Sequence, residues 1–254
     1  MTGTLPAYHF EGKDGAPVLV LSHCLGTNRN FWQSQVDAFN GHFRILLYDH
    51  RGHGGSGSPA PPWEIKHFGR DLLRLLDHLQ LSQVHFCGLS LGGMVGMWLG
   101  IHAPGRVGKL VLANTTAFTE NPALLQSRLE NIRQHGLAFA AENVVDGWLS
   151  RSFQATHPDT VAWIKAMLLE TPAETYLDAA QAVCRSDLRA GLVQIQSPSL
   201  VITGSGDKPT PPAWGELIAS KIPGSHLVQL DSCHLSNIEA ASEFNDVVLG
   251  FLLG

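Results

Sequence analysis

A chain of 254 residues, 44% of them hydrophobic, is long enough to bury a large core as one domain with room for an inserted subdomain. Its 22 acidic and 17 basic residues give a net charge of −5 with no Lys/Arg block, so neither a nucleic-acid backbone nor an anionic membrane is expected as a partner. The opening MTGTLPAYHFEGKDGAP lacks the basic start and apolar run of a secretory signal, and no apolar stretch approaches a membrane span, so a cytoplasmic protein is expected.

The first β-rich runs are PVLVLSHC (17–24) and FRILLYD (43–49). WEIKHFGRDLLRLLDHLQL then spaces Phe68, Leu72, Leu75, Leu76 and Leu79 as one helix face. VHFCG (84–88) is a third run, followed by SLGGMVGMWLGIHAPGR, a helix apolar almost all round that must be central and must stop at Pro104. KLVLANT (109–115) is the fourth.

From 117 to 189 only helical patterns occur, in PALLQSRLENIRQHG, LAFAAENVVDGWL, PDTVAWIKAMLLE and PAETYLDAAQAVC. Asn121 before Pro122 signals a helix start, and Thr171-Pro172 with Glu174 reads as an N-cap, first-turn proline and capping box. SLVITG (199–204), HLVQLD (226–231) and the amphipathic ASEFNDVVLGFLLG, with Phe244, Val247, Val248 and Phe251 on one stripe, close the chain.

Runs apolar at nearly every position suit strands buried on both faces, and their alternation with helices predicts an α/β fold, a mostly parallel sheet covered by helices on both sides. The expected organisation is a core of residues 1–116 and 190–254 with a helical cap, 117–189, over the carboxyl edge of the sheet.

Ligands of such sheets bind beyond the carboxyl ends of the strands. Three reactive side chains stand there: Ser90 in GLSLGG, Asp207 in SLVITGSGD, and His234 in DSCHLSNIE. The G-x-S-x-G pattern between a strand and a helix, with an acid and then a histidine later in the chain, is the order of a nucleophile elbow and its partners. Each residue type has a reason. A serine hydroxyl attacks once imidazole takes its proton, and a carboxylate fixes the ring's tautomer and stabilises the imidazolium. Asp207 is preferred to Asp187, which lies in the connection leaving the helical block, and to Asp231, which is too close in sequence to His234 to face it. Asn114, ending its strand, is not an acid and does not compete. The backbone N–H groups of Leu91, at a helix N-terminus, and of Leu25, in SHCLGTN, are the candidate oxyanion donors.

The four cysteines (Cys24, Cys87, Cys184, Cys233) form no C-x-x-C, and His50 and His53 in DHRGHG read as loop residues. No metal or cofactor is expected.

These residues resemble the α/β-hydrolase superfamily: HCLGTN in place of its usual His-Gly loop, YDHRGHGGS, GLSLGG, Asp207 and His234. More narrowly, LGTNRNFWQSQVDAF, FCGLSLGGMVGMWLGIHAPGRVGKLVLANT and HLSNIE resemble the 3-oxoadipate enol-lactonases of aromatic-compound degradation, which commonly carry Ser where Cys24 stands. The resemblance implies hydrolysis of a small enol lactone without a cofactor. The substrate's carboxylate then needs a partner. The cap's six basic residues face nine acidic ones, so a single placed side chain is required. Arg133, near the end of the first cap helix, is the choice because its planar fork can pair with a carboxylate. Trp32 and Trp148 complete the candidate substrate-binding set. A carboxylesterase, another lactonase or a carbon–carbon bond hydrolase would use the same scaffold, and a substrate panel separates them. A receptor-like pocket without turnover is the alternative from a different class, and covalent labelling of Ser90 discriminates it. The oligomeric state is not written in the sequence.

Overall fold

The computed structural model describes residues 4–254. Seven strands form one sheet: β1 (Tyr8–Gly12), β2 (Val18–Ser22), β3 (Arg44–Tyr48), β4 (Val84–Leu89), β5 (Val107–Ala113), β6 (Ser199–Gly204) and β7 (His226–Leu230). Their spatial order is β1-β3-β2-β4-β5-β6-β7, parallel except for β1, which runs antiparallel to β3.

Alternation along the central strands divides the core. Leu19, Leu21, Ile45, Leu47, Cys87, Leu89, Val111 and Ile202 join the cluster under α1 (Gln33–Phe39) and the C-terminal helix α11 (Ala241–Leu253). Val20, Leu46, Phe86, Leu110, Leu112 and Val201 face the other way, onto α2 (Ile65–His78) and α3 (Leu91–His102). Both faces are covered, as continuous apolar runs require. Ten of the twelve residues of α3 are buried.

Between β5 and β6 stand five helices, α4 (Pro122–His135), α5 (Leu137–Trp148), α6 (Arg151–Thr156), α7 (Pro158–Glu170) and α8 (Ala173–Cys184). This block packs on the loops at the carboxyl ends of β2 and β3. A Cβ at Gly26 (φ +75°) would stand 2.6 Å from Leu168 Cδ1 and 3.0 Å from Tyr176 Cε2, and Asn28 Nδ2 donates to Glu170 Oε2 (3.2 Å). α9 (Pro212–Lys221) and the short α10 (Ser236–Glu239) complete the fold.

Three local features differ from the sequence reading. β1 and α6 lack a strong pattern: β1 is an edge strand with four of its five residues exposed, and α6 has six residues and buries none. Thr171 is not a side-chain N-cap. It is buried and ends α7, while Pro172 takes an extended ψ of 138°, so α8 starts only at Ala173. Asn121 does cap α4, its side chain accepting the Leu124 N–H at 3.0 Å. Among the described residues no helix is long and apolar enough to cross a membrane.

Candidate active site

Ser90 sits between β4 and α3 with φ 56° and ψ −114°, a backbone conformation rare for a residue with a Cβ and costing about 1–3 kcal/mol. The strain is held from both sides. Its N–H donates to the Ala113 carbonyl at the end of β5 (3.0 Å), and Thr115 Oγ1 donates to its carbonyl (2.6 Å). The flanking glycines are needed for close approach: a Cβ at Gly92 would lie 2.0 Å from the Ser22 carbonyl oxygen, and one at Gly88 would lie 2.3 Å from that of Gly92. The turn lifts a half-buried hydroxyl to the N-terminus of α3, where the Leu91 N–H, in the first turn, has no acceptor within the helix.

Beyond the ends of β7 and β6, His234 Nδ1 lies 3.1 and 3.0 Å from the two carboxylate oxygens of Asp207, and both side chains are almost fully buried. Three other donors converge on that carboxylate: the Thr210 N–H (2.9 Å), the Thr210 hydroxyl (2.7 Å) and Asn114 Nδ2 (3.0 Å). Burial alone would push the Asp207 pKa up, but His234, Asn114 and Thr210 together hold it below its ordinary value. The acid is therefore ionised at neutral pH, and accepting from Nδ1–H leaves the Nε2 of a neutral His234 free to take a proton. Asp231 is exposed and accepts from Ser205 Oγ (3.0 Å) instead.

Backbone orientation in the loop after β2 is fixed by a buried imidazole cluster of His23, His50 and His53, the last two being loop residues as expected but buried ones. His23 Nε2 accepts the His50 N–H (3.0 Å), which places the proton of the neutral ring on Nδ1, and Nδ1 donates to the Cys24 carbonyl (2.8 Å). Thr27 adds its hydroxyl (3.0 Å) and N–H (3.4 Å) to the same carbonyl. In a trans peptide the C=O and N–H point oppositely, so a carbonyl held inward by three donors turns the Leu25 N–H outward. His53 Nε2 accepts the Gly26 N–H (3.1 Å), fixing the next peptide. SHC and DHRGHG end adjacent parallel strands, which is the signal that could have paired them.

All three rings are fully buried, and burial lowers their pKa values, to about 3 for His50, to about 4 for His53 and well below 6.5 for His23. Folded, the rings stay neutral. Unfolded, each takes up a proton near pH 6.5, so stability is full above that pH and falls as pH drops toward the folded values. Urea unfolding at pH 7.5 and at pH 5 should therefore show lower stability at the lower pH, with about 2 kcal/mol lost from each of His50 and His53 and a further loss in the same direction from His23. Equal stability at the two values would show that the rings are not held neutral.

The remaining predicted residues are placed unevenly. Trp148 ends α5, is 6% exposed, and accepts the Leu235 N–H through its carbonyl (3.1 Å), directly beside the histidine loop. Trp32 is a core residue instead: it is 0% exposed against Phe31 and Phe244, leaving no surface for a ligand. Arg133 is half exposed and already donates to Glu130 Oε2 (2.6 Å). No hydrogen bond joins it to Ser90, Asp207 or His234. Residues that sequence reasoning missed include Thr210, and also Glu239, whose carboxylate accepts the Cys233 N–H (2.9 Å) and the Ser150 N–H (3.3 Å), tying the helical block to the histidine loop. Among the described residues no group of three or more His, Cys, Asp or Glu is placed to hold a metal ion.

A family model described as the alpha/beta hydrolase fold matches residues 17–241. The chain is 35% identical over 259 residues to 3-oxoadipate enol-lactonase 2 of Acinetobacter baylyi, covering 96% of this chain and 97% of that one. It superposes on the crystal structure of the enol-lactonase from Burkholderia xenovorans LB400 with a TM-score of 0.95 and 36% identity, over 98% and 96% of the two chains. It is also 30% identical over 258 residues to a putative carbamate hydrolase, RutD, of Agrobacterium fabrum, covering 96% and 98%.

Proposed function

Because the chain belongs to the alpha/beta hydrolase family, we propose that it is a serine hydrolase cleaving a small enol lactone, 3-oxoadipate enol-lactone, through an acyl-enzyme. The observation that carries this reading is the His234–Asp207 pair buried at the strand ends together with the strained elbow that presents Ser90.

In the proposed mechanism Ser90 Oγ attacks the lactone carbonyl as His234 Nε2 takes its proton. Leu25 and Leu91 N–H groups meet the developing oxyanion. Collapse expels the ring oxygen as an enolate, which takes the proton from the His234 imidazolium and ketonises, leaving the imidazole neutral again. Water, deprotonated by His234, then attacks the acyl-enzyme and releases the dicarboxylate, returning the proton to Ser90. An enolate leaves more readily than an alkoxide, so oxyanion stabilisation carries most of the barrier.

The substrate class is tested by a spectrophotometric assay on freshly generated enol lactone beside a p-nitrophenyl ester and a simple carbamate. A kcat/KM for the lactone well above the other two is expected. The resemblance to the carbamate hydrolase favours one second reading, cleavage of a small carbamate by the same residues, and a preference for the carbamate would select it.

Recognition of the substrate carboxylate is assigned to Arg133. Its pairing with Glu130 means a substrate would have to displace that partner, which limits the gain. Arg133→Ala is expected to raise KM for the lactone about tenfold while leaving an uncharged ester unaffected. Equal effects on both substrates, or none on either, would remove Arg133 from the site.

A further inference from the structure

We infer that Asn114 is a positioning residue for the reaction, a buried amide that clamps the acid loop and the histidine loop into one unit. The inference rests on the proposed roles of Ser90, Asp207 and His234.

Asn114 follows β5 and is 1% exposed. It adopts φ +43°, one of three non-glycine residues at positive φ among the described residues, and Ser90 is another. Asn is among the side chains that tolerate this region, but holding it there has a cost that surrounding bonds must offset. Its N–H donates to the Ile202 carbonyl in β6 (2.8 Å), which sets the backbone. The side chain then uses all of its polar atoms. The Ser236 hydroxyl donates to Oδ1, which fixes the amide's orientation and turns the NH2 group the other way. One N–H goes to Asp207 Oδ2 (3.0 Å) and the other to the Cys233 carbonyl (3.2 Å).

The arrangement joins the acid loop to the histidine loop through a side chain that is itself buried among protein partners. Cys233 precedes His234 and Ser236 lies two residues after it, so both sides of the imidazole are pinned to the same amide that holds its carboxylate partner. This also gives a use to the serine of HLSNIE, which the proposed mechanism leaves idle. A donor on Asp207 Oδ2 spreads the carboxylate's charge and keeps the acid from attracting the His234 proton too strongly. Removing it makes the carboxylate more basic, which favours imidazolium and moves the deprotonation of His234 to higher pH.

The test is the pH profile of kcat/KM on an uncharged p-nitrophenyl ester, whose acid limb reports the base of the free enzyme. Asn114→Gly removes the amide while accepting φ +43° without strain. It is expected to lower kcat/KM about tenfold to a hundredfold, with KM little changed, and to move the acid limb up by about one pH unit. Ser236→Ala leaves every Asp207 contact in place and loosens only the amide, so a smaller shift in the same direction is expected. In the Asn114→Gly background the Ser236 change should have no further effect, because the two act through one bond. The nearby ionisable side chains are those of Cys233, Lys208, Asp231 and Glu239, and none of them is bonded to the side chain of Asn114 or Ser236; Asn114 meets Cys233 through the backbone carbonyl of that residue.

An acid limb unmoved in both single variants, or fully additive losses in the double, would show that Asn114 is packing and overturn the inference. If Asn114→Gly does not fold, the Ser236→Ala limb decides alone. Asp207→Asn is run beside them. Should it retain activity, the acid assignment fails and takes the inference with it; should it be crippled while the limbs stay put, only the role of Asn114 falls.

Discussion

Ser90→Ala is expected to lose about a millionfold in kcat, the scale seen when the nucleophile of a well-studied serine protease is removed. The fold should survive, because alanine keeps the Cβ and the same backbone bonds: the N–H still reaches the Ala113 carbonyl and Thr115 still holds the residue's own carbonyl. His234→Ala should lose about as much, and the double variant little more, since nucleophile and base act as a unit. Steady-state rates on the lactone, with thermal unfolding as the control, check this. A folded Ser90→Ala protein retaining most of its turnover would move the nucleophile elsewhere.

Asp207→Asn is the second large effect, a loss of about ten-thousandfold by comparison with the same change in a triad protease. The reason is visible in the donor set. The carboxylate accepts from His234, Asn114 and two groups of Thr210, so an amide NH2 in its place must face donors on at least one side. Its oxygen cannot serve both oxygens' partners, and an NH2 turned toward His234 would force the ring into the wrong tautomer. Asp231→Asn is the control. Asp231 is exposed and bonded to Ser205, so its variant should turn over like the parent. Greater damage from Asp231→Asn would mean that the acid had been misassigned.

The parts of this molecule that were legible in the sequence are those whose burial is written in contiguous residues. Leu19, Val20 and Leu21 are all fully buried, on alternating faces, and a run of that kind announces a central strand. Tyr8–Gly12 carries no such run because an edge strand need bury little, and its pairing with β3 depends on a partner more than thirty residues away. The GLSLGG turn was legible because glycine spacing encodes close approach, seen where Gly92 meets Ser22. Asp207 and His234 could be placed at strand ends by position alone.

Their supports could not. Asn114 and Ser236 acquire their partners only when β5, β6 and β7 lie side by side, Thr210 meets Asp207 only through the turn of its own loop, Glu239 joins Ser150 only once the helical block has packed, and the imidazoles of His23, His50 and His53 meet only because β2 and β3 are neighbours. Trp32 shows the opposite limit. An aromatic beside a loop can line a pocket or fill a core, and here it fills the core with its Nε1 lacking any partner. For Thr171 the residue types of a capping box were present, but the ψ of Pro172 set the helix start one residue later.

The central claim is that Ser90 is an activated nucleophile, and labelling tests it most directly. The protein is treated with a fluorophosphonate at neutral pH, and its intact mass and the peptide containing residues 88–93 are measured. The account predicts one adduct per chain, on Ser90, lost in Ser90→Ala and strongly slowed in His234→Ala. No adduct on the folded protein, or an adduct on another residue, would contradict it.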